Sequence, residues 1–504
     1  MSKRARIPWI THVPVALLGC IWDFLDYQAK LLGVDLTCRA WRLASSKNGA
    51  GWSSFFMHPH ADEKGNTELY DHHSSFKESD FNPAPWQVTF LRHPCRLRTV
   101  RAISLSLTEE LASSVGQIAC LGQMAKLGSL TLHVGRTLVG INLSPLSELT
   151  LLRRFKLKLY EHHMSAAILD LSRLPVCLET LAITHFLNLR KCVVLFPPLL
   201  PDLRRLSFRT HGWIEPRLPT ASLPALQALC WPLGTEIKEK TWRLWETLRR
   251  CPSPCLQSLT YNADLEGMMP ADIVDRLAPS LTLLSVDGES HLPPFPLFTS
   301  IQRVALLSDL SPRTKAPEMP LFSECSTTLS HLAFGAGELP VSSVFPLPAS
   351  ITSLCFRLAH SQSSKARRLL WTAIEGEHSL RSLHILLHEP SHQVMDHSLY
   401  LSGMTQLTSL TLEVEWERCP TPLEPDYIAS TLFPLKSLQR LEFRNFILSD
   451  SALLQLAEFA PSLPLAFLSF AGCSATGPLS LRVYQHLLSR VFPCSVNLPN
   501  ITFV

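Results

Sequence analysis

The sequence predicts an α/β fold: a solenoid of about 14–16 irregular repeats preceded by a small three-helix module. Three observations predict it. A six-residue apolar pattern, LxxLxL, recurs along most of the chain. The stretches between copies mix short amphipathic segments with prolines. Residues 13–46 carry no such copy and space their apolar residues at helical period instead.

The copies are read directly. They begin with Leu127-Gly-Ser-Leu130-Thr-Leu132 and Leu152-Arg-Arg-Phe155-Lys-Leu157. Further copies start at Leu178, Leu203, Leu226, Leu256, Leu281, Ile301, Leu329, Ile351, Leu380, Leu407, Leu438 and Leu465. Val100-Arg-Ala-Ile103-Ser-Leu105 reads as a first copy and Leu498-Pro-Asn-Ile501-Thr-Phe503 as a last one. Starts lie 20 to 33 residues apart. One such pattern is a weak signal, but a long series at this spacing defines leucine-rich repeats. The period of two inside LxLx sends alternate side chains to one core. A single short strand cannot bury its apolar face alone, whereas stacked strands form a parallel sheet lining a solenoid. The uneven spacing predicts a distorted horseshoe.

The intervening segments fit its convex side. Trp242, Trp245 and Leu248 are spaced as one helix face, as are Leu453, Leu454 and Ala457, with Ser449 or Ser451 as the cap of the second helix. Prolines in FPPLLP and HLPPFPLF suit irregular turns. The stretch from Ser449 through Cys473 resembles the cysteine-containing subtype of the repeat.

Composition narrows the function classes. With 504 residues, 46% of them hydrophobic and 17% charged, the chain can bury a large core. A net charge of +4 falls short of a nucleic-acid binder's clustered basic face, and aromatics do not interleave with the basic residues. The 14 cysteines are scattered, and the closest pair, Cys251 and Cys255, has no second pair to complete a zinc site. They read mostly as buried thiols in a reducing compartment. Apolar runs are too short to span a bilayer. No Walker loop, GxGxxG, HExxH or nucleophile elbow is present, so the expectation is no enzyme, no catalytic residue, no cofactor and no metal.

At the N-terminus, Leu17, Leu18, Ile21 and Leu25 share one helix face. Leu31 and Leu32 supply a second short helix, and TCRAWR opens a third with Thr37 as its cap. The set Pro14, Leu17, Ile21, Phe24, Leu25, Leu31, Cys38, Arg39, Trp41 and Arg42 resembles the F-box, departing from it at Val13 and Lys30. A competing reading takes Lys3, Arg4, Arg6 and the run VPVALLGC as a secretion signal. That reading leaves Phe24, Leu25, Leu31 and TCRAWR unexplained, and only on it would the sequons at Asn142 and Asn500 matter.

These elements divide the chain into an N-terminal tail (1–12), an F-box-like helical module (13–57), a polar linker or loop (58–95) and a leucine-rich-repeat domain (96–504). His58, His60, His72 and His73 in the linker match no standard metal spacing and read as an exposed loop. What the resemblance implies is a substrate-recognition subunit of an SCF-type, cullin–RING ubiquitin ligase. Its F-box residues Pro14, Leu17, Leu18, Ile21, Leu25, Leu31 and Trp41 would bind a Skp-type adaptor, and through it a cullin, in the cytoplasm or nucleus. The repeats would bind an unknown protein target on the concave face.

For that face the pattern names residues. Arg154, Lys156 and Lys158 alternate with the buried positions of one copy, and Arg205, Ser207 and Arg209 with those of another. Thr180, Ala182 and Thr184 lie between them, so two basic rows flank a row of small residues. Glu413, Glu415, Arg440, Glu442 and Arg444 form a mixed-charge face with no obvious ligand. The rival expectations are a repeat scaffold or receptor outside ubiquitin chemistry, and a receptor gated by a small polyanion.

Overall fold

The computed structural model describes residues 54–57, 101–107, 118–134, 142–159, 167–185, 192–210, 214–217, 223–231, 244–250, 255–287, 295–307, 322–338, 347–358, 372–387, 401–414, 421–428, 435–475, 480–491 and 495–497, with short gaps inside some of these spans. The residues expected to bind an adaptor, Pro14, Leu17, Leu18, Ile21, Leu25, Leu31 and Trp41, and the linker histidines, lie outside them. The chain divides into two compact units, with the boundary between Leu256 and Gln257.

The first unit carries β1 (Ser54–Met57), β2 (Ala102–Leu107), β3 (Ser129–Val134), β4 (Arg154–Leu159), β5 (Ala167–Asp170), β6 (Thr180–His185), β7 (Cys192–Leu195), β8 (Arg205–Thr210), β9 (Ile214–Arg217) and β10 (Ala228–Cys230). Strands β1, β2, β3, β4, β6, β8 and β10 pair in that order, all parallel. Strands β5, β7 and β9 make a second parallel sheet from the segments between copies. A short helix, α1 (Leu244–Arg250), buries Leu244, Trp245 and Leu248. Trp242, expected on the same face, lies outside the described residues.

The second unit carries β11 (Ser258–Asn262), β12 (Leu283–Asp287), β13 (Arg303–Leu306), β14 (His331–Glu338), β15 (Ser353–Leu358), β16 (Ser382–Leu387), β17 (Ser409–Val414), β18 (Thr421–Pro422), β19 (Arg440–Arg444), β20 (Phe446–Leu448), β21 (Phe467–Ala471), β22 (Ser474–Ala475) and β23 (Ser495–Asn497). Again the copies form one parallel sheet, from β11 through β17 to β19, β21 and β23. Strands β18, β20 and β22 form a small second sheet. Its helices are α2 (Ala263–Glu266), α3 (Ala271–Leu277), α4 (Asp450–Phe459) and α5 (Leu481–Val491). Among the described residues no helix is long and apolar enough to cross a membrane.

Register explains how the pattern becomes a core. Equivalent residues of successive copies face each other, as in Leu130↔Phe155 and Leu132↔Leu157, or Leu383↔Leu410 and Ile385↔Leu412. All eight are buried. Removing a side chain of this size from water stabilises by about 1.5–3 kcal/mol, and the stack repeats that gain copy after copy. The register is held by a backbone clamp that recurs at the strand starts of successive copies. One carbonyl of the preceding copy accepts two consecutive N–H groups. Gly128 O takes those of Arg153 and Arg154 at 2.9 and 3.0 Å, and Thr408 O takes those of Gln439 and Arg440 at 2.8 and 2.9 Å. Hydroxyls reinforce it: Thr352 Oγ1 donates to Ser330 O at 3.3 Å and Thr408 Oγ1 to Arg381 O at 3.0 Å.

Several expectations are corrected. Leu454 does not share the buried face of α4, which buries Ala452, Leu453, Leu456 and Ala457 and leaves Leu454 41% exposed. Of the two cap candidates, Ser449 accepts the Ala452 N–H at 3.2 Å. In the copy that starts at Leu465, that residue is only half-buried, and Leu463 is buried in the approach to β21. The last described strand is β23, in which Ser495 pairs with Phe467, and the expected Leu498–Phe503 copy lies outside the described residues. One strand, β1, falls within segment 13–57 and pairs with β2. Some between-copy segments add short parallel strands, whereas FPPLLP holds none. Nor are the described cysteines mostly buried: Cys473 is, while Cys177, Cys230 and Cys355 are half-buried and Cys255 is exposed.

The exits from the last strands require special backbone. Asn445 follows β19 at φ 62°, and Gly472 follows β21 at φ 65°, each one residue past the pair Arg444↔Ala471. Asparagine visits this left-handed region more readily than other side chains. Its Nδ2 also donates to Val414 O at 2.9 Å, tying β19 to β17. Asn445→Gly should lose the hydrogen bond, at a cost of about 1 kcal/mol. Asn445→Ala should lose it and add strain, for about 2 kcal/mol in all. Urea unfolding of the full chain measures both, and equal losses would remove the backbone argument.

Candidate functional site

Strand alternation leaves one face of each sheet to the residues between the leucines. Each unit has a distinct set at these positions.

In the first unit the register places the basic rows as expected. Arg154, Lys156 and Lys158 oppose Thr180, Ala182 and Thr184, which in turn oppose Arg205, Ser207 and Arg209. With strands about 4.8 Å apart, the basic rows stand about 10 Å apart across a row of small side chains. Arg154 and Arg205 are exposed, Lys156 and Lys158 half-buried. Arg209 holds its register position on the backbone. The arrangement suits charge-assisted hydrogen bonds to carboxylates or phosphates.

In the second unit the same face carries a connected polar chain across β15, β16, β17, β19 and β21. Cys355 and His384 are direct register partners. Cys355 Sγ lies 3.4 Å from His384 Nδ1, and His384 Nε2 lies 3.0 Å from Glu413 Oε2. Glu413 sits one step diagonally along β17, opposite Leu386 rather than His384, a span long side chains bridge. Beyond it, Arg444 donates from Nη1 to Glu413 at 3.4 Å and from Nε to Glu442 at 3.0 Å. Arg440 reaches Glu442 at 3.6 Å and lies 4.1 Å over the ring of Phe467.

The electrostatics follow from burial and pairing. Glu442, although on the outward face, is only 6% exposed; two arginines offset the cost of that charge. Burial by itself disfavours a charged His384. Hydrogen bonds to Cys355 and Glu413, and the charge of both, outweigh it and push its pKa up to about 9. For Arg444, too, burial opposes the charge, and Glu442 and Glu413 overcome it, so its pKa rises.

The mixed-charge set was legible as Glu413, Arg440, Glu442 and Arg444; Glu415 lies outside the described residues. Cys355 and His384 were not singled out. They are 29 residues apart, and only stacking the copies brings them together. The signal was present: Leu354-Cys-Phe356 and Leu383-His-Ile385 put both at the same position of consecutive copies. Among the described residues no group of three or more His, Cys, Asp or Glu is placed to hold a metal.

The repeating register, the buried leucine pairs and the parallel stacking define leucine-rich repeats. No protein-family model and no curated protein matches the chain. Among solved structures it is similar to the crystal structure of a TLR13–ssRNA13 complex, at 15% identity and TM-score 0.31 over 77% of this chain and 57% of that one. It is also similar to CroV588, described as a novel circular LRR protein, at 13% identity and TM-score 0.28 over 84% of this chain and 68% of that one. The chain thus spans little more than half of the first of these. At such scores the assignment rests on the strand register itself.

Two measurements check the second unit. His384 has its folded pKa above its ordinary value of 6.5, so its contribution to stability is fully present below that pH. It is lost as pH rises through about 9. Thermal midpoints should therefore fall between about pH 7 and pH 9.5, and His384→Gln should remove that component. Arg444→Met should leave Glu442 buried beside a single, longer contact and cost about 3 kcal/mol in urea unfolding; a loss under about 0.5 kcal/mol would mean that the pair is in effect solvated.

Proposed function

We propose that this chain is a non-catalytic substrate receptor of an SCF-type, cullin–RING ubiquitin ligase. Residues 13–46 dock a Skp-type adaptor, and the repeats hold the protein to be modified. One observation carries the reading: a segment resembling the F-box, closed by Cys38-Arg39 and Trp41-Arg42, precedes leucine-rich repeats in one chain. The apolar set Leu17, Leu18, Ile21, Leu25 and Leu31 is larger than so small a helical bundle needs for itself, which favours burial against a second protein. The rows on the repeats support a protein partner, since they offer many side chains at fixed spacing and no enclosed pocket is needed to use them.

Mechanism on this reading is proximity. The receptor holds its target near the ubiquitin-charged partner and so raises effective concentration, while other subunits supply the chemistry. The basic rows of the first unit fit a target segment that is acidic or phosphorylated. The site of action would be cytoplasmic or nuclear, where such ligases work.

Purified Skp-type adaptor should be retained by the full chain and lost, by at least tenfold, from the double variant Leu17→Asp/Ile21→Asp. Equal retention by both would exclude the adaptor interface. Absence of binding by the unaltered chain would leave the rival reading, a repeat scaffold or receptor unrelated to ubiquitin. For the target face, affinity purification of the full chain should be compared with Lys156→Glu/Arg205→Glu. Proteins that leave with the double variant bind this face, and an unchanged set removes it from the reading.

A further inference from the structure

We propose that Cys355 is a nucleophilic modification site for soft carbon electrophiles of the α,β-unsaturated carbonyl class, with His384 as its base and Glu413 holding that base in place. Three side chains from three consecutive strands make the arrangement. The Glu413 carboxylate only accepts, so at 3.0 Å it fixes an N–H on His384 Nε2. Nδ1 is thereby turned to the sulfur 3.4 Å away, where it accepts the thiol proton. Nucleophile, base and orienting acid in series is the geometry that activates a thiol. The raised pKa of His384, up to about 9, accords with an imidazolium held between the sulfur and the carboxylate. Arg444, between Glu413 and Glu442, anchors the far end. Cys355 and His384 both lie on the outward face and are half-buried, so a small reagent reaches the sulfur.

The step balances without a further reactant. The sulfur lone pair forms a C–S bond to the β-carbon of the electrophile. The carbon–carbon π pair moves toward the carbonyl as an enolate. The proton held on His384 Nδ1 then passes to the α-carbon, leaving the imidazole neutral. A thiol has added across a double bond; nothing leaves, and no outside oxidant or reductant takes part. The same geometry argues against turnover. Strand β15 is paired on both sides, with β14 and β16, and β16 with β15 and β17. The backbone N–H groups around the sulfur are therefore committed to the sheet, and do not converge on the oxyanion of an acyl-transfer intermediate. The adduct accumulates, one per chain, on a face the repeats present to partners.

The inference does not depend on the ligase reading. The test uses the full native chain, limiting acrylamide at neutral pH, and peptide mass spectrometry to follow each cysteine. Cys255, exposed and on the first unit, is the internal standard. Cys355 should be alkylated at least tenfold faster than Cys255 despite being less exposed. His384→Gln should lower the Cys355 rate at least tenfold and leave the Cys255 rate unchanged; Glu413→Gln should give an intermediate loss. A Cys355 rate no greater than that of Cys255 in the unaltered chain would overturn the proposal without any variant. So would an undiminished Cys355 rate in His384→Gln. If that variant unfolds, seen as loss of its thermal unfolding transition, the comparison within the unaltered chain decides.

Discussion

One main-chain oxygen per repeat governs the rest of this protein. The carbonyl just ahead of each strand accepts two consecutive N–H groups from the copy that follows, as Gly128, Arg153 and Glu179 do in the first unit and Ser330, Thr352 and Arg381 in the second. A slip of one residue would break both bonds and turn every leucine to the outward face. Hydrophobic gain and backbone hydrogen bonding therefore select the same register. Side chains at equivalent positions are forced into rows, and the chemistry of the molecule is the chemistry of those rows.

The rows differ between the units. In the first, arginines and lysines stand on either side of a row of small side chains. In the second, charges of both signs are already matched: Glu442 lies between Arg440 and Arg444, and Glu413 between Arg444 and His384. The first surface gathers basic side chains at fixed spacing. The second has largely satisfied itself, and what it retains is the sulfur at the end of the chain of contacts.

How much of this was legible depended on the range of the cause. The strands were, because LxxLxL states both the period and the buried positions within six residues, and the register then followed from stacking like on like. The cap Ser449 was also local, acting three residues away. Leu454 was misread because two helix faces differ by one position, and only the packing around α4 selects between them. The short second sheets, β5–β7–β9 and β18–β20–β22, carry no internal period, since their pairing is imposed by strands already stacked alongside. His384 beside Cys355 is the same case: no window along the sequence holds both residues, and the sheet supplies their proximity.

The clamp has a further consequence. Because it acts at the first residues of each strand, it is indifferent to how much chain separates one strand from the next. Connections of very different length coexist here without disturbing the rows. Such a scaffold can lengthen, shorten or exchange its connecting segments and still present the same ordered display of side chains, so its contour and its binding chemistry are free to change separately over time.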